Sequence, residues 1–209
     1  MFGTENLLLF VVSGLLLNIT PGADILYIVG RSSTQGFRGG TIAALGIGAG
    51  CIVHVIAATV GISAIITASA TAFTIVKYLG AAYLVYIGIT MFRRKQETVN
   101  EIQALPKTKL RTIFWQGFLT NALNPKVALF FLAFLPQFIA AGAENKSVAL
   151  LFLGIVFNFN GTLWNIFVAW VSSSIVARIR GTAAMTKLLN RFVGTLFVCF
   201  GVKLAISQS

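Results

Sequence analysis

The chain has 209 residues, of which 57% are hydrophobic and only 10% are charged, and its mean hydropathy is +0.88. These values are far from those of a soluble globular domain and speak against a cytosolic enzyme. Lys and Arg outnumber Asp and Glu by 16 to 5, and the resulting net charge of +11 would suggest nucleic-acid binding in a polar protein. The basic residues are grouped between long uncharged runs, however, so we expect a membrane protein that binds no nucleic acid.

Uncharged runs of Leu, Ile, Val, Ala and Phe predict an all-α integral membrane protein with six transmembrane helices. About 20 apolar residues in a helix cross the hydrocarbon core, and the helix satisfies its own backbone hydrogen bonds there. The six predicted spans are Leu7 to Gly30, Thr41 to Ile66, Lys77 to Phe92, Ile113 to Ile139, Val148 to Ser172 and Leu188 to Ile206. We therefore expect residues 1–209 to form a single transmembrane domain.

The distribution of the basic residues predicts that both termini lie outside. Twelve of the 16 Lys and Arg residues fall in the loops and helix ends after spans one, three and five, and we expect these loops to be cytoplasmic. The first span lacks the basic segment and the small-residue cleavage site of a signal peptide, and Pro21 and Gly22 interrupt it. We therefore interpret it as a retained first helix.

The two halves of the sequence resemble each other. Three pairs of segments match in order: Gly14 to Pro21 with Gly117 to Pro125, Leu45 to Ile47 with Leu153 to Ile155, and Lys77 to Tyr86 with Arg191 to Phe200. A unit of three spans that is repeated once is inverted in the membrane, because the second copy starts on the other side. We expect repeat one over about residues 5–92, a basic cytoplasmic loop over about 93–112 and repeat two over about 113–206. The alternative is that Gly and aromatic residues recur by chance.

Each predicted repeat carries a helix break in its first span. Pro21-Gly22 and Asn124-Pro125 remove backbone donors and loosen their helices. At about 1.5 Å per residue, both breaks lie about 15 to 18 Å from the cytoplasmic edge, near the midplane. Matched breaks are typical of secondary transporters, and their free carbonyls and half-helix ends can face a zwitterionic substrate. Two ordinary proline kinks are the alternative.

Two charged residues, Asp24 and Lys126, closely follow the breaks and are the most deeply placed charges. A charge in hydrocarbon is costly, so such a residue faces a cavity or a partner. We interpret Lys126 as functional, against the alternative that its long side chain extends to an interface. For Asp24, the sequence is equally compatible with a substrate or proton site and with a structural cap or ion pair.

Polar residues in spans two and five are secondary candidates. Three of them share one face of span five, which either lines a pathway or holds helices together: Asn158, Thr162 and Asn165. His54 is more typical of a buried, hydrogen-bonded side chain than of a proton relay. Close helix packing is expected at the glycines of span two, Gly46, Gly48 and Gly50.

Three segments resemble the LysE/RhtB family of bacterial amino-acid exporters: Asn18 to Asp24, with the sequence NITPGAD, Gln35 to Gly40, and Asn121 to Phe138, which begins NALNPK. The resemblance implies an inner-membrane efflux protein for amino acids or close derivatives such as homoserine, threonine, leucine or lysine, driven by the proton motive force. The family's motif positions correspond to Thr20, Pro21, Gly22, Asp24, Asn124, Pro125, Lys126, Pro136 and Gln137. Ala23 stands where the family usually has proline, which leaves the finer choice of substrate open.

The candidate residues for substrate binding or coupling are those in and around the two breaks: Asn18, Thr20, Pro21, Gly22, Asp24, Asn121, Asn124, Pro125, Lys126 and Gln137. The expected partners are an amino-acid substrate, protons and the lipid bilayer. We expect neither enzyme activity nor a cofactor or metal ion. The sequence leaves open whether the chain forms a homo-oligomer.

Two other classes of membrane protein are alternatives. A transmembrane thiol-disulfide electron carrier would need a cysteine pair, but Cys51 and Cys199 fall at non-equivalent positions of the predicted repeats. A channel for another small metabolite is also compatible with the sequence, although it explains two matched breaks less well. A membrane-embedded hydrolase would need an HExxH metal motif or clustered carboxylates, and the sequence has neither.

Overall fold

The protein's computed structural model describes residues 2–20, 22–62, 106–140 and 142–175, together with isolated helical residues between 71 and 89 and between 195 and 202. Within these residues the secondary structure is helical, apart from one antiparallel bridge between Thr4 and Ile139. The all-α prediction is therefore confirmed. Predicted spans three and six fall almost wholly outside the described residues, so the six spans and the inverted repeat stay predictions.

Five α-helices are described. They are α1 (Leu7–Ile19), α2 (Ala23–Ala57), α3 (Leu110–Ala122), α4 (Pro125–Phe134) and α5 (Lys146–Ile175). A short π-helix, Ala58–Ile62, extends α2, and a 3₁₀ helix, Leu135–Phe138, extends α4. The described elements thus cover predicted spans one, two, four and five.

α2 contains a sharp turn at Gln35 and Gly36, where the backbone leaves the helical region. Gly36 has a φ of 68°, a left-handed conformation that glycine adopts without strain. Beyond the turn, Gly40 lies directly against the Ser32 side chain. Because eight residues of straight helix would separate these positions by about 12 Å, the segments 23–34 and 37–57 lie side by side. The turn falls within the predicted loop between spans one and two.

Several described helices are long and apolar enough to cross a membrane. Two such stretches are Ala23–Gly61, which includes the turn in α2, and Lys146–Ser174. Leu110–Ala122 and Pro125–Phe138 form a third candidate, a pair of helices bent by 47° at the second predicted break. α1, with 13 residues, is shorter than one crossing, in keeping with its place as the first half of a broken span. The protein is an integral membrane protein.

The segment 37–57 of α2 packs between α3 and α5. Its glycines make this possible, since a Cβ at Gly46 or Gly50 would collide with backbone carbonyls of α3, and one at Gly48 would lie 2.7 Å from Thr162 Oγ1 of α5. The expected close packing at the three glycines is confirmed. A larger apolar core, rich in phenylalanine, joins α1, α4 and α5 around Phe10, Phe130, Phe134 and Phe157. Together these contacts pack the helices that flank both breaks against one another.

Candidate functional site

The first helix break lies between α1 and α2. α1 ends at Ile19, and Thr20 and Gly22 have extended backbone conformations before α2 begins at Ala23. The Thr20 hydroxyl donates a hydrogen bond to the Leu16 carbonyl at 2.8 Å. The last carbonyls of a helix lack the donors that a continuing helix would supply. The end of α1 therefore presents acceptors to donors from other helices.

The second helix break lies at Asn124, between α3 and α4. Asn124 has an extended backbone, and Pro125 begins α4, a position where its missing N–H removes no helical hydrogen bond. The side-chain oxygen of Asn124 accepts a hydrogen bond from the backbone N–H of Lys126 at 3.0 Å. Asn124 thus caps the second half of the broken span.

Side chains from each break bind the other break. Asp24 Oδ2, in the first turn of α2, accepts hydrogen bonds from Asn121 Nδ2 at 3.0 Å and from Asn124 Nδ2 at 3.2 Å. In the opposite sense, Lys126 Nζ, in the first turn of α4, donates to the Leu17 and Thr20 carbonyls at 3.3 Å each. The two breaks are therefore tied together reciprocally.

The tied breaks border one cavity, which we call the break cavity. The boundary of the cavity encloses about 460 Å³ that is free of protein atoms, and this volume includes open solvent at its mouth. The space that the centre of a water molecule can reach inside the cavity is about 20 Å³, which is room for about one ordered water. The polar lining that the breaks contribute consists of Asn18, Thr20, Asp24, Asn121 and Lys126. The cavity thus carries one acidic and one basic side chain, which attract each other.

Three buried polar atoms on lining residues have no hydrogen-bond partner among the described residues: Asn18 Nδ2, Asp24 Oδ1 and Asn121 Oδ1. Buried polar atoms are usually satisfied, because leaving one without a partner costs about 1 to 3 kcal/mol. One unpaired donor and two unpaired acceptors at a single cavity are what a polar ligand or ordered water would satisfy.

The predicted polar face of α5 lines the break cavity. Asn158, Thr162 and Asn165 all border it, and Thr162 Oγ1 donates to Asn158 Oδ1 at 3.5 Å. The sequence left open whether this face lines a pathway or holds helices together, and its position at the cavity favours the first alternative. Between these residues, Gly161 brings the α5 backbone close to Asn18, whose Nδ2 would lie 3.0 Å from a Cβ at position 161.

His54 is a buried side chain behind the cavity and is not part of its lining. Its Nε2 lies 2.8 Å from the backbone carbonyl of Asn121. A carbonyl only accepts, so Nε2 carries the proton and donates. His54 therefore holds the end of α3, in agreement with the expectation of a buried, hydrogen-bonded histidine.

The remaining candidates lie away from the lining. Asn124 and Pro125 belong to the second break without bordering the cavity, and Pro136 and Gln137 lie one helix further on, in the 3₁₀ helix. Pro21 lies outside the described residues. Gly22 does line the cavity, and a Cβ there would lie 3.3 Å from Lys126 Nζ.

A second polar cluster, not anticipated from the sequence, joins α2 to α3. In this Arg31 cluster, the guanidinium of Arg31, which is only 4% exposed, donates to Gln116 Oε1 at 2.7 Å and to the Pro106 carbonyl at 2.9 Å. Gln35 exchanges two hydrogen bonds with the backbone of Thr108, at 2.8 and 2.9 Å. The sequence signal for this cluster was the spacing of four residues between Tyr27 and Arg31, which places the two side chains together on a helix. In the structure the guanidinium carbon lies 5.4 Å from the centre of the Tyr27 ring.

Apolar residues of the cavity wall were also missed by sequence reasoning. They are Leu17, Ile25, Ile47, Cys51, Val127 and Phe157. Nothing in their sequence context distinguishes them from other apolar residues of a membrane helix. Within the described part of the chain, no group of three His, Cys, Asp or Glu side chains could hold a metal ion.

Known proteins resemble this chain over its whole length. The family described as LysE type translocator matches residues 15–208. An uncharacterized membrane protein, YrhP of Bacillus subtilis (strain 168), is 30% identical over 97% of the chain and 100% of its own length. The leucine efflux protein of Enterobacter sp. (strain 638) is 28% identical over 98% of the chain and 97% of its own length. The leucine efflux protein of Salmonella choleraesuis (strain SC-B67) is also 28% identical, over 100% of the chain and 98% of its own length.

No solved structure matches the chain. The match to the family covers both helix breaks and the cavity between them, and it confirms the resemblance carried by the NITPGAD and NALNPK segments. The chain belongs to the LysE type translocator family.

Proposed function

We propose that the protein is a secondary-active exporter of amino acids with apolar side chains, or of close derivatives, across the bacterial inner membrane. The proton motive force drives it, and both termini lie outside. The observation that carries this proposal is the reciprocal tie between the breaks: Asp24 with Asn121 and Asn124, and Lys126 with the Leu17 and Thr20 carbonyls. A transporter needs such a polar site at the interface of two helix groups.

The nature of the ties suits alternating access. Each tie joins a group on one broken span to a group on the other, and each consists of hydrogen bonds 3.0 to 3.3 Å long. Such bonds can be exchanged for bonds to a substrate without disrupting a packed core. We infer that one half of the molecule moves against the other at the break cavity, which opens first to the cytoplasm and then to the outside.

The cavity chemistry supports an amino acid as the substrate. A zwitterion carries one charge of each sign, and the described lining offers Asp24 and Lys126. Four apolar wall residues, Leu17, Cys51, Val127 and Phe157, belong to one contiguous buried cluster and present an apolar surface to a side chain. The relatives named leucine efflux protein agree with this chemistry.

A basic amino acid suits the cavity less well. The side-chain ammonium of lysine would need a second carboxylate, and among the described lining residues Asp24 is the only one. We therefore narrow the expected substrates from the homoserine, threonine, leucine and lysine group to amino acids resembling leucine. The same carboxylate is the group we expect to carry the coupling proton.

The thiol-disulfide alternative gains no support. Cys51 is a buried free thiol in the cavity wall, and Cys199 is an exposed free thiol. An electron carrier would need the two sulfurs within bonding distance, with Cα atoms about 4.4 to 6.8 Å apart.

The test is efflux of radiolabelled amino acids from cells that express the protein, compared with empty-vector cells, with and without an uncoupler. We expect leucine and its apolar analogues to leave faster from the expressing cells, and the uncoupler to abolish the difference. Lysine is expected to leave at the control rate. Equal leucine efflux from both cell types, with the protein inserted in the membrane, would contradict the proposal.

A further inference from the structure

Two of the unpaired atoms of the break cavity are oxygens on side chains that are hydrogen-bonded to each other. Asp24 Oδ1 and Asn121 Oδ1 both lack a hydrogen-bond partner among the described residues, while the same two side chains are joined through Asp24 Oδ2 and Asn121 Nδ2 at 3.0 Å. Both residues line the cavity, and Asn121 is only 3% exposed. The pair is a preformed, buried set of acceptors.

The orientation of the Asn121 amide follows from chemistry. An ionised carboxylate only accepts hydrogen bonds, so the amide group that faces Asp24 Oδ2 is the NH₂ group, and the amide oxygen is left for another donor. The backbone of the same residue is fixed by His54, whose Nε2 donates to the Asn121 carbonyl at 2.8 Å. The acceptor pair is therefore held in place from two sides.

We propose that Asp24 Oδ1 and Asn121 Oδ1 bind the α-ammonium group of the exported amino acid, and that this ammonium and the coupling proton occupy Asp24 in turn. This inference rests on the proposed export function. An ammonium group has three N–H donors and needs several acceptors when it leaves water, and a carboxylate beside an amide oxygen provides two of them with one compensating charge. A neutral N-acyl group would offer one donor and no charge.

The opposite end of the substrate has its own polar atom. Asn18 Nδ2, on α1, is the unpaired donor of the cavity and lies beside Gly161, where the α5 backbone comes close. A donor suits the carboxylate of the substrate, as two acceptors suit its ammonium. The side chain of the substrate then contacts the apolar wall near Cys51 and Phe157.

Shared occupancy of one carboxylate gives coupling without a second ion site. A protonated Asp24 is neutral, offers a poor site for an ammonium and must lose its proton before the substrate binds. If that proton goes to the cytoplasm as the substrate binds, and another is taken up outside as the substrate leaves, one proton enters for each zwitterion exported. One positive charge then moves inward per cycle, so both the membrane potential and the pH difference drive export.

The charged and titratable groups around Asp24 come from two elements. Lys126 of α4 attracts the carboxylate, while His54 and Cys51 belong to the segment 37–57 of α2. The side-chain amides of Asn121 and Asn124 add hydrogen bonds to Oδ2. Lys126 and the two amides stabilise the ionised form of Asp24, which receives the ammonium.

The experiment measures binding to the purified full-length protein in detergent by titration calorimetry. The probes are leucine, N-acetylleucine and 4-methylpentanoate, which lacks the amino group. We expect leucine alone to bind measurably, and its affinity to fall as the pH is lowered from about 8 to about 5, approaching tenfold per pH unit where protons compete for one site. Repeating the titrations in buffers of different ionisation enthalpy should reveal proton release on leucine binding.

A pair of asparagine variants tests the acceptor. We expect Asn121→Leu to lower leucine affinity at least tenfold, whereas Asn160→Leu, on α5 outside the cavity lining, leaves it within a factor of two of wild type. Equal binding of leucine and N-acetylleucine, or leucine affinity independent of pH, would overturn the inference even if Asn121→Leu failed to fold. If either outcome is found while cells still show uncoupler-sensitive leucine efflux, the ammonium site is wrong but the export function stands. If cells show no leucine efflux, the export function itself is contradicted.

Discussion

The break cavity and the Arg31 cluster are two polar regions with opposite character. Both join α2 to α3, and both hold a charged side chain within an apolar protein. In the Arg31 cluster the guanidinium has acceptors at 2.7, 2.9 and 3.3 Å, and Gln35 pairs with Thr108 through both amide groups. In the break cavity, three polar atoms have no partner among the described residues.

The difference separates structure from function. The Arg31 cluster holds its helices in one arrangement, because its hydrogen bonds to Gln116, Pro106 and Thr108 are lost if the arrangement changes. In the break cavity, the polar atoms that the described residues leave without a partner can bond to water or to a ligand with complementary groups, so the helices there can exchange partners. We therefore expect changes in the break cavity to reduce transport and changes in the Arg31 cluster to reduce stability.

The largest effect on transport is expected for Asp24→Asn. The substitution preserves the shape of the side chain but removes the charge that pairs with an ammonium or a proton, so we expect leucine export to fall about 100-fold. Membrane insertion and protein amount should stay at the wild-type level. Glu144→Gln, an exposed carboxylate before α5, is the matched control and should export normally. Normal export by Asp24→Asn would remove Asp24 from the site.

A smaller loss of export is expected for Lys126→Ala. The substitution removes the two hydrogen bonds to the Leu17 and Thr20 carbonyls, so we expect export to fall about tenfold while insertion is unchanged. Lys146→Ala, at the start of α5, serves as the control. Wild-type efflux rates from Lys126→Ala cells would show that the tie between the breaks is dispensable.

The comparison predicts the opposite outcome for Arg31→Ala. Loss of the guanidinium removes its hydrogen bonds to Gln116 Oε1 and the Pro106 carbonyl, and we expect a destabilisation of about 1 to 2 kcal/mol. The readout is the melting temperature in detergent, with leucine affinity of the folded fraction unchanged. Arg38→Ala, an exposed arginine beyond the turn, should melt like the wild type. A stable Arg31→Ala protein that fails to bind leucine would reverse the roles of the two regions.

The smallest effect is expected for Gly161→Ala. The new methyl group would lie 3.0 Å from Asn18 Nδ2, so the Asn18 side chain must shift by a few tenths of an ångström. This shift would lengthen the proposed hydrogen bond from Asn18 to the carboxylate of the substrate. We expect leucine affinity to fall about threefold. Gly61→Ala is the control, because a Cβ there has no neighbour within 4 Å. Equal affinities of the two variants would argue against Asn18 as a substrate contact.

Sequence reasoning located the breaks because proline and glycine have direct backbone consequences. Proline removes a donor wherever it stands, so the interruption before Pro125 follows from its identity, without knowledge of tertiary contacts. The polar face of α5 was also recognisable from its helical spacing, although only the structure distinguishes cavity lining from helix pairing. These features depend on local geometry.

The contacts that define the site depend on helix packing instead. Asn121 lies 97 residues from Asp24 in sequence, and nothing local indicates that their side chains meet. Arg31 appeared as one of the basic residues that set the topology, because a charge near the end of a predicted span is typical of an interface. Its burial follows from the turn at Gln35 and Gly36, which folds the chain back and brings the loop before α3 against it.

The most direct test of the central claim is radiolabelled leucine binding to purified wild-type protein and to the Asp24→Asn and Arg31→Lys variants. The account predicts saturable binding to the wild type and to Arg31→Lys, and none to a folded Asp24→Asn protein. Wild-type leucine affinity in Asp24→Asn, with binding lost in Arg31→Lys, would contradict the assignment of the break cavity as the substrate site.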